Sequence, residues 1–573
     1  MADVNEGRLD VPRSRARFIA FGVIAVLLFS VLGGRLFQLQ VVNGALYAAR
    51  AAAVRTVEVP LPAARGLIFD RDGRPVAVNV PAWTVRVRSA DLPAGHRSRV
   101  LQRVAEATGT APATLRSRLA AYQGSPYDLV PVVRGATREA ALVLSEAEET
   151  LPGVVVEVEP IRQYLDETGA VNGPLLAHVL GYTGPVSRDQ YASLAEQGYL
   201  RDDVIGKAGV EASFEELLRG DYGLQLVERD AAGRMLRVIE AVEEPTPGTN
   251  LMLTLDADIQ RLAEQALTWG MEVAAVSQGV TIVMNPQTGE ILGMVSLPAY
   301  DNNKFAAGIS GTDYSIYLAD ETRPLRNHAI SDIYPPGSTF KLVTALSALE
   351  SGITTPAQQW PTYGCYQIPG APAGECLYDW NRTGFGSIDI VDAFAVSSDT
   401  FFYQMAVNAG IDTLAEWAGH LGFGSESGIA LPGEEAGIVA STDWARQQGR
   451  TGVYTGEVAM AGIGQGVIAV TPLQLLNAYA ALANGGRLME PMVVRGEADA
   501  AGNLVRAFEP RVISQVPARA EHLELLRIAA REVITSGHAY NIRDLALPGA
   551  LSGKTGPAEF GELTAKASTM SID

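Results

Sequence analysis

The longest apolar stretch of the chain lies near its N-terminus. Residues 18–34 carry no charged side chain and are mostly Ile, Val, Leu, Phe and Ala, and a second apolar run reaches Val42 after Arg35. A helix that crosses a membrane needs about 20 such residues. The pattern therefore predicts a transmembrane anchor over residues 18–40, preceded by a tail over residues 1–17. A cleaved signal peptide is the alternative, but the small residues that would suit cleavage, at 48–53, lie far beyond the apolar run.

Basic residues predict the orientation of this anchor. Arg13, Arg15 and Arg17 precede the apolar run, and positive charge favours the cytoplasmic side of a membrane. The tail is therefore expected in the cytoplasm. We expect the chain to cross the cytoplasmic (inner) membrane once and to place most of its residues outside the cytoplasm.

Residues 41–244 alternate between short apolar runs and turn residues. Residues 54–61 predict a strand, and Asp72-Gly73 predicts a hairpin turn. Residues 101–149 instead predict helices, because apolar side chains recur there at helical spacing, for example Val104, Leu115, Leu119, Leu142 and Leu144. Residues 50–240 pair no nucleophile with a base, and His178 is expected to be a packed structural histidine. This region is therefore predicted to serve spacing and interaction.

A second region begins after the linker at residues 243–248, which predicts a domain boundary near 245. Residues 250–255 predict a strand, and Asp256 is expected to cap a helix over 258–270. Residues 279–284 and 290–296 predict the two strands of a hairpin. Together with the helical region that follows, these elements predict an α+β domain over 245–573, with an antiparallel sheet backed by helices.

The candidate chemistry of this domain begins at Ser338. Two prolines and Gly337 form a predicted turn, and the apolar run 342–349 after it predicts a buried helix. Ser338 and Lys341 then share one helix face at its N-terminus. A serine hydroxyl becomes a nucleophile when a base takes its proton, and a desolvated lysine can be that base. An N-cap serine followed by a surface lysine is the commoner chance interpretation.

Two further motifs support the chemical interpretation. Ser397-Ser398-Asp399 and Lys554-Thr555-Gly556 follow in that order. The ordered set resembles the Ser-x-x-Lys, Ser-x-Asn/Asp and Lys-Thr-Gly elements of the penicillin-recognising serine acyltransferases. Several segments of the first region resemble the class B penicillin-binding proteins; they are residues 65–74, 162–164, 178–182, 206–211 and 218–220. The resemblance runs from about Phe18 to Gly556.

This resemblance implies a peptidoglycan D,D-transpeptidase that is acylated by penicillin. Residues 41–244 would be a strand-rich pedestal, or dimerisation domain, with an inserted helical head. Ser338 would attack a stem peptide, Lys341 would accept its proton, and Ser397 would pass a proton to the leaving amine. Asp399 would hold the hydrogen-bond network and the bound peptide, and Lys554 and Thr555 would bind the terminal carboxylate. Gly556 would leave space for the substrate backbone.

The resemblance also implies partners and leaves two alternatives. Stem peptides and β-lactams are the expected ligands, a membrane-embedded glycan polymerase and other wall-synthesis proteins are the expected partners, and no cofactor or metal is expected. A catalytically impaired scaffold protein is the first alternative. A membrane β-lactam sensor or a β-lactamase is the second, which the long pedestal-like segment disfavours. A net charge of −19 argues against a nucleic-acid surface, whose electrostatic footprint would be basic.

Two positions and the sequence after Glu559 depart from the family pattern. Asp399 stands where many relatives carry Asn, which is reminiscent of the elongation-type members that maintain cell shape. Pro557 has no N–H, although relatives use the N–H of this residue as an oxyanion-hole donor. The sequence after Glu559 lacks the expected strand pair and helix, so the end of the domain is expected to be incomplete or altered.

The two cysteines, Cys365 and Cys376, lie in one Gly/Pro-rich loop. In an exported domain they are expected either to form a disulfide or to stay as free thiols. The loop offers too few other ligands for a metal site.

Overall fold

The computed structural model describes residues 12–47, 56–93, 95–122, 124–230, 235–372, 376–545 and 549–558. An α-helix over Pro12–Phe37 continues into a π-helical turn over Gln38–Val42. In the described part of the chain, the segment Arg15–Val42 is the one helix that is long and apolar enough to cross a membrane. It matches the predicted anchor, although the helix begins earlier than residue 18.

The chain divides into two compact units. The first contains residues 1–63, 125–128 and 221–246. Besides the N-terminal helix it holds an antiparallel sheet of three strands, in the order Thr56–Leu61, Gly223–Arg229 and Met235–Glu243. The first of these strands confirms the prediction for residues 54–61 from Thr56 onward, while the two preceding residues lie outside the described ranges.

The second unit contains residues 64–124, 129–220 and 247–573, and a seven-stranded sheet runs through it. Six of its strands follow one another in the order Leu504–Ala507, Val494–Ala498, Asn250–Leu253, Ile68–Phe69, Pro75–Arg88 and Leu129–Ala136, and Val154–Tyr164 also pairs with Pro75–Arg88. The turn at Asp72-Gly73 joins two antiparallel strands as predicted. The sheet combines strands from both sides of residue 245.

Three helices, Arg97–Thr108, Pro112–Ala121 and Arg138–Glu146, form the helical part predicted for residues 101–149. Two features of that prediction were wrong. Leu142 is 53% exposed, unlike the other four apolar residues named for this region, which are buried. Residues 129–136 form a strand, which the prediction missed because Pro131 and Gly135 interrupt its apolar pattern. This strand lies at one end of the sheet order, where a proline is tolerated because the unpaired side needs no N–H donor.

A buried ion network connects three of the segments that resemble the class B penicillin-binding proteins. The fully buried carboxylate of Glu211 accepts hydrogen bonds from Arg65 Nε at 2.7 Å and from Arg162 Nε at 2.6 Å. Burial would raise the pKa of this carboxyl group, but the two guanidinium groups hold it below its usual value. The segments around 65, 162 and 211 are thus joined by a structural contact.

The predicted hairpin of the C-terminal region is confirmed by the strands Gly279–Met284 and Ile291–Leu297. Asp256 caps the preceding helix by accepting hydrogen bonds from two backbone N–H groups, and this helix covers Ala257–Ala274, five residues longer than predicted. The main hydrophobic core lies among the helices Lys341–Glu350, Asp399–Ala409, Ile411–His420 and Ala520–Thr535. Every residue from 341 to 349 is buried, as predicted.

The second unit also contains further helices, 3-10 turns and strands. Its other α-helices are Ala177–Leu180, Arg188–Leu194, Gly209–Ser213, Glu215–Arg219, Asn302–Ala306, Gly311–Ala319, His328–Ser331, Ile390–Ala395, Thr442–Gln447, Thr455–Ala461 and Pro472–Ala483. Its 3-10 turns are Ser89–Asp91, Glu148–Thr150, Pro174–Leu176, Ala195–Gln197, Gly337–Phe340 and Tyr540–Ile542. Its other strands are Thr183–Pro185, Val204–Gly206, Trp360–Thr362, Cys365–Gln367, Cys376–Tyr378, Gly386–Ile388, Ile438–Val439, Ile468–Ala469, Arg487–Met489 and Val512–Gln515.

Candidate active site

Ser338 lies in a tight turn at the entrance to the buried helix. Residues Gly337–Phe340 form a 3-10 turn that leads directly into Lys341–Glu350. Ser338 is 8% exposed. A Cβ atom on Gly464 would lie 2.3 Å from the carbonyl oxygen of Gly337, so the absence of a side chain lets Gly464 support the turn. The serine is therefore held between the helix and a second packed segment.

The ammonium group of Lys341 points to the second motif. Lys341 Nζ lies 2.7 Å from Asp399 Oδ1, 2.8 Å from the carbonyl oxygen of Ser397 and 3.2 Å from Ser397 Oγ. Within the described ranges, Ser338 Oγ forms no hydrogen bond to this amine. Burial lowers the pKa of Lys341, while the carboxylates of Asp399 and Asp379 oppose that shift. A buried amine with a lowered pKa is suited to accept a proton.

Lys554 reaches the same hydroxyl from the other side. Lys554 Nζ lies 2.8 Å from Ser397 Oγ and 3.0 Å from the carbonyl oxygen of Thr555. Burial lowers the pKa of Lys554 well below its usual value, and the positive charge of Lys341 lowers it further. Ser397 Oγ thus contacts two amines, and the three sequence motifs meet at this atom.

The Lys554 segment packs against a helix. Residues 549–558 form no β-ladder with the other described residues. The segment instead docks on the helix Ala520–Thr535, where Gly553 N donates to the carbonyl oxygen of Ala530 at 2.9 Å and Arg531 Nη1 donates to that of Leu551 at 2.5 Å. Contacts with this helix therefore help to place Lys554.

Gly556 and Pro557 pack against the Ser338 turn. A Cβ atom on Gly556 would lie 2.6 Å from Thr339 Cγ2 and 2.9 Å from the carbonyl oxygen of Pro336. Glycine at 556 is therefore required by contact with the turn itself. A Cβ atom on Gly337 would lie 2.3 Å from the carbonyl oxygen of Pro557, so an acceptor at residue 557 faces the turn next to Ser338. The expected N–H donor is missing from this residue because it is proline.

Thr555 has a neighbour that the sequence analysis missed. Thr555 Oγ1 lies 3.2 Å from His538 Nδ1, and the ring of Trp380 packs edge-on against the imidazole of His538. His538 and Trp380 lie in loops that carry no recognisable motif, so spacing along the sequence gives no signal for either residue.

The sequence analysis also missed Asp379, a carboxylate that is 1% exposed. Asp379 Oδ2 accepts hydrogen bonds from Ser398 Oγ at 2.8 Å, Thr400 Oγ1 at 2.8 Å and Thr400 N at 2.9 Å. It therefore holds the loop that carries Ser397. A buried aspartate can be found only when its fold is known, since a lone Asp after a strand is usually exposed.

The cysteines and His178 have structural surroundings. Cys365 and Cys376 form a disulfide, the first of the two expected alternatives, with their Cα atoms 5.7 Å apart. His178 Nε2 lies 2.9 Å from the carbonyl oxygen of Pro324, and burial lowers the pKa of His178 to about 4. The imidazole is therefore neutral at physiological pH and packs edge-on against Tyr300. Within the described ranges, no cluster of three or more His, Cys, Asp or Glu side chains could hold a metal ion.

Comparison with known sequences identifies the family. The sequence model described as "Penicillin binding protein transpeptidase domain" matches residues 279–571, which is more than half of the chain. The model described as "Penicillin-binding Protein dimerisation domain" matches residues 60–253. The chain belongs to the class B penicillin-binding proteins. Its α+β fold class, with the dimerisation domain preceding the transpeptidase domain, agrees with the sequence analysis.

Two proteins that are similar to this penicillin-binding protein are both named peptidoglycan D,D-transpeptidase MrdA. It is 33% identical over 543 residues to the peptidoglycan D,D-transpeptidase MrdA of Acinetobacter baumannii, an alignment that covers 95% of this chain and 78% of the relative. It is 32% identical over 500 residues to the protein of that name in Escherichia coli (strain K12), with 86% and 75% covered.

Solved structures show the same fold. The penicillin-binding protein matches PBP2 in its complex with MreC from Helicobacter pylori with a TM-score of 0.75 and 26% identity, over 88% of this chain and 90% of that one. It also matches a chain of a peptidoglycan synthase complex, described as coordinating polymerization and crosslinking, with a TM-score of 0.66 and 28% identity, over 95% of this chain and 89% of that one.

Proposed function

We propose that this penicillin-binding protein is a peptidoglycan D,D-transpeptidase of the elongation type, which cross-links stem peptides through a serine acyl-enzyme. The convergence of Lys341 and Lys554 on Ser397 Oγ, beside the Ser338 turn, is the observation that supports this function most directly. The name and similarity of the MrdA relatives support the reaction class. The Asp at position 399 supports the elongation type.

The proposed reaction begins with attack by Ser338 Oγ on the carbonyl carbon of the penultimate D-Ala. Lys341 accepts the proton of the serine hydroxyl, since its lowered pKa makes the neutral amine accessible. The peptide C–N bond breaks, Ser397 delivers a proton to the leaving nitrogen and regains one from protonated Lys341, and terminal D-Ala departs. An acceptor amine then attacks the ester carbonyl, the C–O bond to Ser338 breaks as the new C–N bond forms, and the proton of the amine returns to Ser338 Oγ.

The remaining residues of the site bind and orient the substrate in this proposal. Lys554 and Thr555 bind the terminal carboxylate, and Asp399 holds Lys341 in place through its 2.7 Å contact. Binding of a carboxylate next to Lys554 would favour its charged form, because an opposite charge raises a lysine pKa. In this proposal the carboxylate of a β-lactam occupies the same position as the terminal carboxylate of the stem peptide.

The membrane location and partners belong to the same proposal. The apolar helix near the N-terminus supports anchoring in the cytoplasmic membrane. In this proposal the tail at 1–17 lies in the cytoplasm. The pedestal at 41–244 and the transpeptidase domain at 245–573 lie outside the cytoplasm. A membrane-embedded glycan polymerase is the proposed partner. The similarity to a chain of a peptidoglycan synthase complex supports this assignment.

A catalytically impaired scaffold protein is the second candidate function, and Pro557 favours it. Loss of one oxyanion-hole donor in a hydrolase costs about 100- to 1,000-fold in rate. The carbonyl group of Pro557 lies beside the Ser338 turn, where relatives are expected to present an N–H. Wall-synthesis complexes could retain such a protein for its pedestal alone.

A penicillin-labelling experiment separates these functions. Full-length protein in detergent is incubated with a fluorescent penicillin and the adduct is mapped by mass spectrometry. The transpeptidase proposal requires a stable adduct on Ser338 that is lost in Ser338→Ala, a variant that removes one buried oxygen and should fold normally. Absence of an adduct would support the scaffold function, and rapid hydrolysis of the penicillin would indicate a β-lactamase. An adduct that persists in Ser338→Ala would show that another serine is the nucleophile.

A further inference from the structure

The backbone of Ser397 adopts an unusual conformation. Its φ angle is +56°, in the left-handed region that residues with a side chain rarely occupy. Such a conformation persists only where the surroundings hold it. The atom that contacts both lysine amines therefore depends on the contacts of the residues on either side of it.

Asp379 and Trp380 provide contacts on both sides of Ser397. The Asp379 carboxylate accepts three hydrogen bonds from Ser398 and Thr400, which follow Ser397. Trp380 Nε1 donates to the carbonyl oxygen of Val396, which precedes it, at 3.1 Å. Two adjacent residues thus hold the strained loop from both ends.

Asp379 is itself held by a cross-linked hairpin. The strands Cys365–Gln367 and Cys376–Tyr378 pair antiparallel, and the disulfide joins them. Asp379 N donates to the carbonyl oxygen of Gly364 at 3.1 Å, directly beyond the hairpin ends. The carboxylate therefore has a fixed position in the core, which a mobile loop could not give it.

We propose that Asp379 is a positioning residue for the transpeptidase reaction, which holds the Ser397 hydroxyl between Lys341 and Lys554 so that a proton can pass through it. This inference rests on the proposed function. Asp379 does not touch the reacting atoms, and it acts through Ser398 and Thr400.

The charge of Asp379 provides a readout that a merely structural contact would not change. Lys341 is faced by Asp399 on the helix Asp399–Ala409, by Asp379 and by Lys554. Burial lowers the pKa of Lys341, and the two carboxylates raise it. Asp379→Asn removes one negative charge at nearly constant shape, so it should lower the pKa of Lys341 further.

The test is an NMR titration of the full-length protein labelled with [ε-13C]lysine. The chain has five lysines, Lys207, Lys304, Lys341, Lys554 and Lys566, so the Lys341 signal can be assigned with Lys341→Arg. The expected result is a lower midpoint for Lys341 in Asp379→Asn than in the wild type. The matched control is Asp389→Asn, which keeps the cap of the helix Ile390–Ala395, since Asn caps as well as Asp. It should leave the midpoint unchanged.

Acylation by the fluorescent penicillin provides the second measurement. In Asp379→Asn we expect the acylation rate constant to fall by about tenfold or more, because a hydrogen-bonded charged group is lost. The non-covalent dissociation constant of this variant should stay unchanged. The acylation rate constant of Asp389→Asn should also stay unchanged. A wild-type Lys341 midpoint in Asp379→Asn would overturn the inference. A fall in rate matched by a fall in melting temperature, with no shift of the midpoint, would also overturn it. If the wild type forms no adduct, the proposed function fails, and the lysine titration still decides the role of Asp379.

Discussion

At the scale of single residues, the site places two lysine amines on one serine hydroxyl with one carboxylate in direct contact. Lys341 contacts the carboxylate of Asp399, whereas Lys554 Nζ contacts the hydroxyl oxygen of Ser397. Burial lowers the pKa of both lysines. The balance of charge in this pocket therefore controls which amine is neutral, and the following substitutions change that balance.

Asp399→Asn should move the ascending limb of the acylation rate to lower pH. The Asp399 carboxylate raises the pKa of Lys341, so its removal lowers this pKa and makes the neutral amine more abundant at a given pH. The acylation rate is measured against pH with a fluorescent penicillin, with Asp443→Asn, at an exposed surface position, as the control. A limb that stays in place or moves to higher pH would contradict the assignment of Lys341 as the base.

Pro557→Thr should raise the acylation rate. The substitution supplies a backbone N–H beside the Ser338 turn, where the carbonyl group of Pro557 now lies. One oxyanion-hole donor changes the rate by about 100- to 1,000-fold in a comparable hydrolase, so even partial alignment should be measurable. Stopped-flow labelling gives the rate constant. An unchanged rate, with the fold intact by circular dichroism, would show that residue 557 does not face the developing oxyanion.

The motif residues could be predicted from the sequence, whereas their supports could not. Ser338 and Lys341 share a helix face by spacing alone, and Ser397 and Lys554 follow in the order typical of the family. Asp379 and His538 reach the site only through tertiary contacts between distant loops. No local pattern encodes such contacts.

At the scale of elements, the helix Lys341–Glu350 links the site to the core. Its residues from 341 to 349 are all buried, and it packs among the helices of the main core. The sequence predicted this burial because the apolar run contains no Pro or Gly. The strand Leu129–Ala136 was missed for the opposite reason, since its Pro and Gly concealed its alternation. Composition thus predicts a continuous element better than an interrupted edge strand.

Leu346→Ala should destabilise the second unit. Leu346 is fully buried, and truncation of a core leucine costs about 2–5 kcal/mol through lost burial and a cavity. Leu262→Ala is the matched control, because Leu262 is 55% exposed on the helix Ala257–Ala274, and surface changes stay within about 0.5 kcal/mol. Denaturant unfolding followed by tryptophan fluorescence measures both. Equal losses would mean that Leu346 is not in a packed core.

At the scale of the whole molecule, one apolar helix is expected to determine whether the protein is found in the membrane fraction or the soluble fraction. The segment Arg15–Val42 leaves its apolar side chains exposed in the described structure, and contiguous exposed apolar surface marks a membrane or protein contact. The linker sequence predicts a boundary near residue 245. The seven-stranded sheet nevertheless contains strands from before and after that residue. The order of elements was accessible from the sequence, but the pairing of distant strands was not.

Deletion of residues 1–47 should move the protein from the membrane pellet to the soluble fraction. The deletion removes the apolar helix and none of the site residues, so penicillin labelling of Ser338 should persist. Fractionation by ultracentrifugation, followed by labelling of both fractions, measures the two outcomes. A truncated protein that stays in the pellet and is released by high salt would indicate a peripheral attachment through another surface.

The left-handed backbone of Ser397 limits how far this protein can be made heat-resistant without loss of chemistry. Glycine is the residue that best tolerates such a φ angle, and its introduction would relieve strain of about 1 kcal/mol. It would also delete the hydroxyl that touches both lysine amines. Substitutions intended to raise thermal stability should therefore be made at other positions, because the strained backbone and the hydroxyl that contacts both amines belong to the same residue.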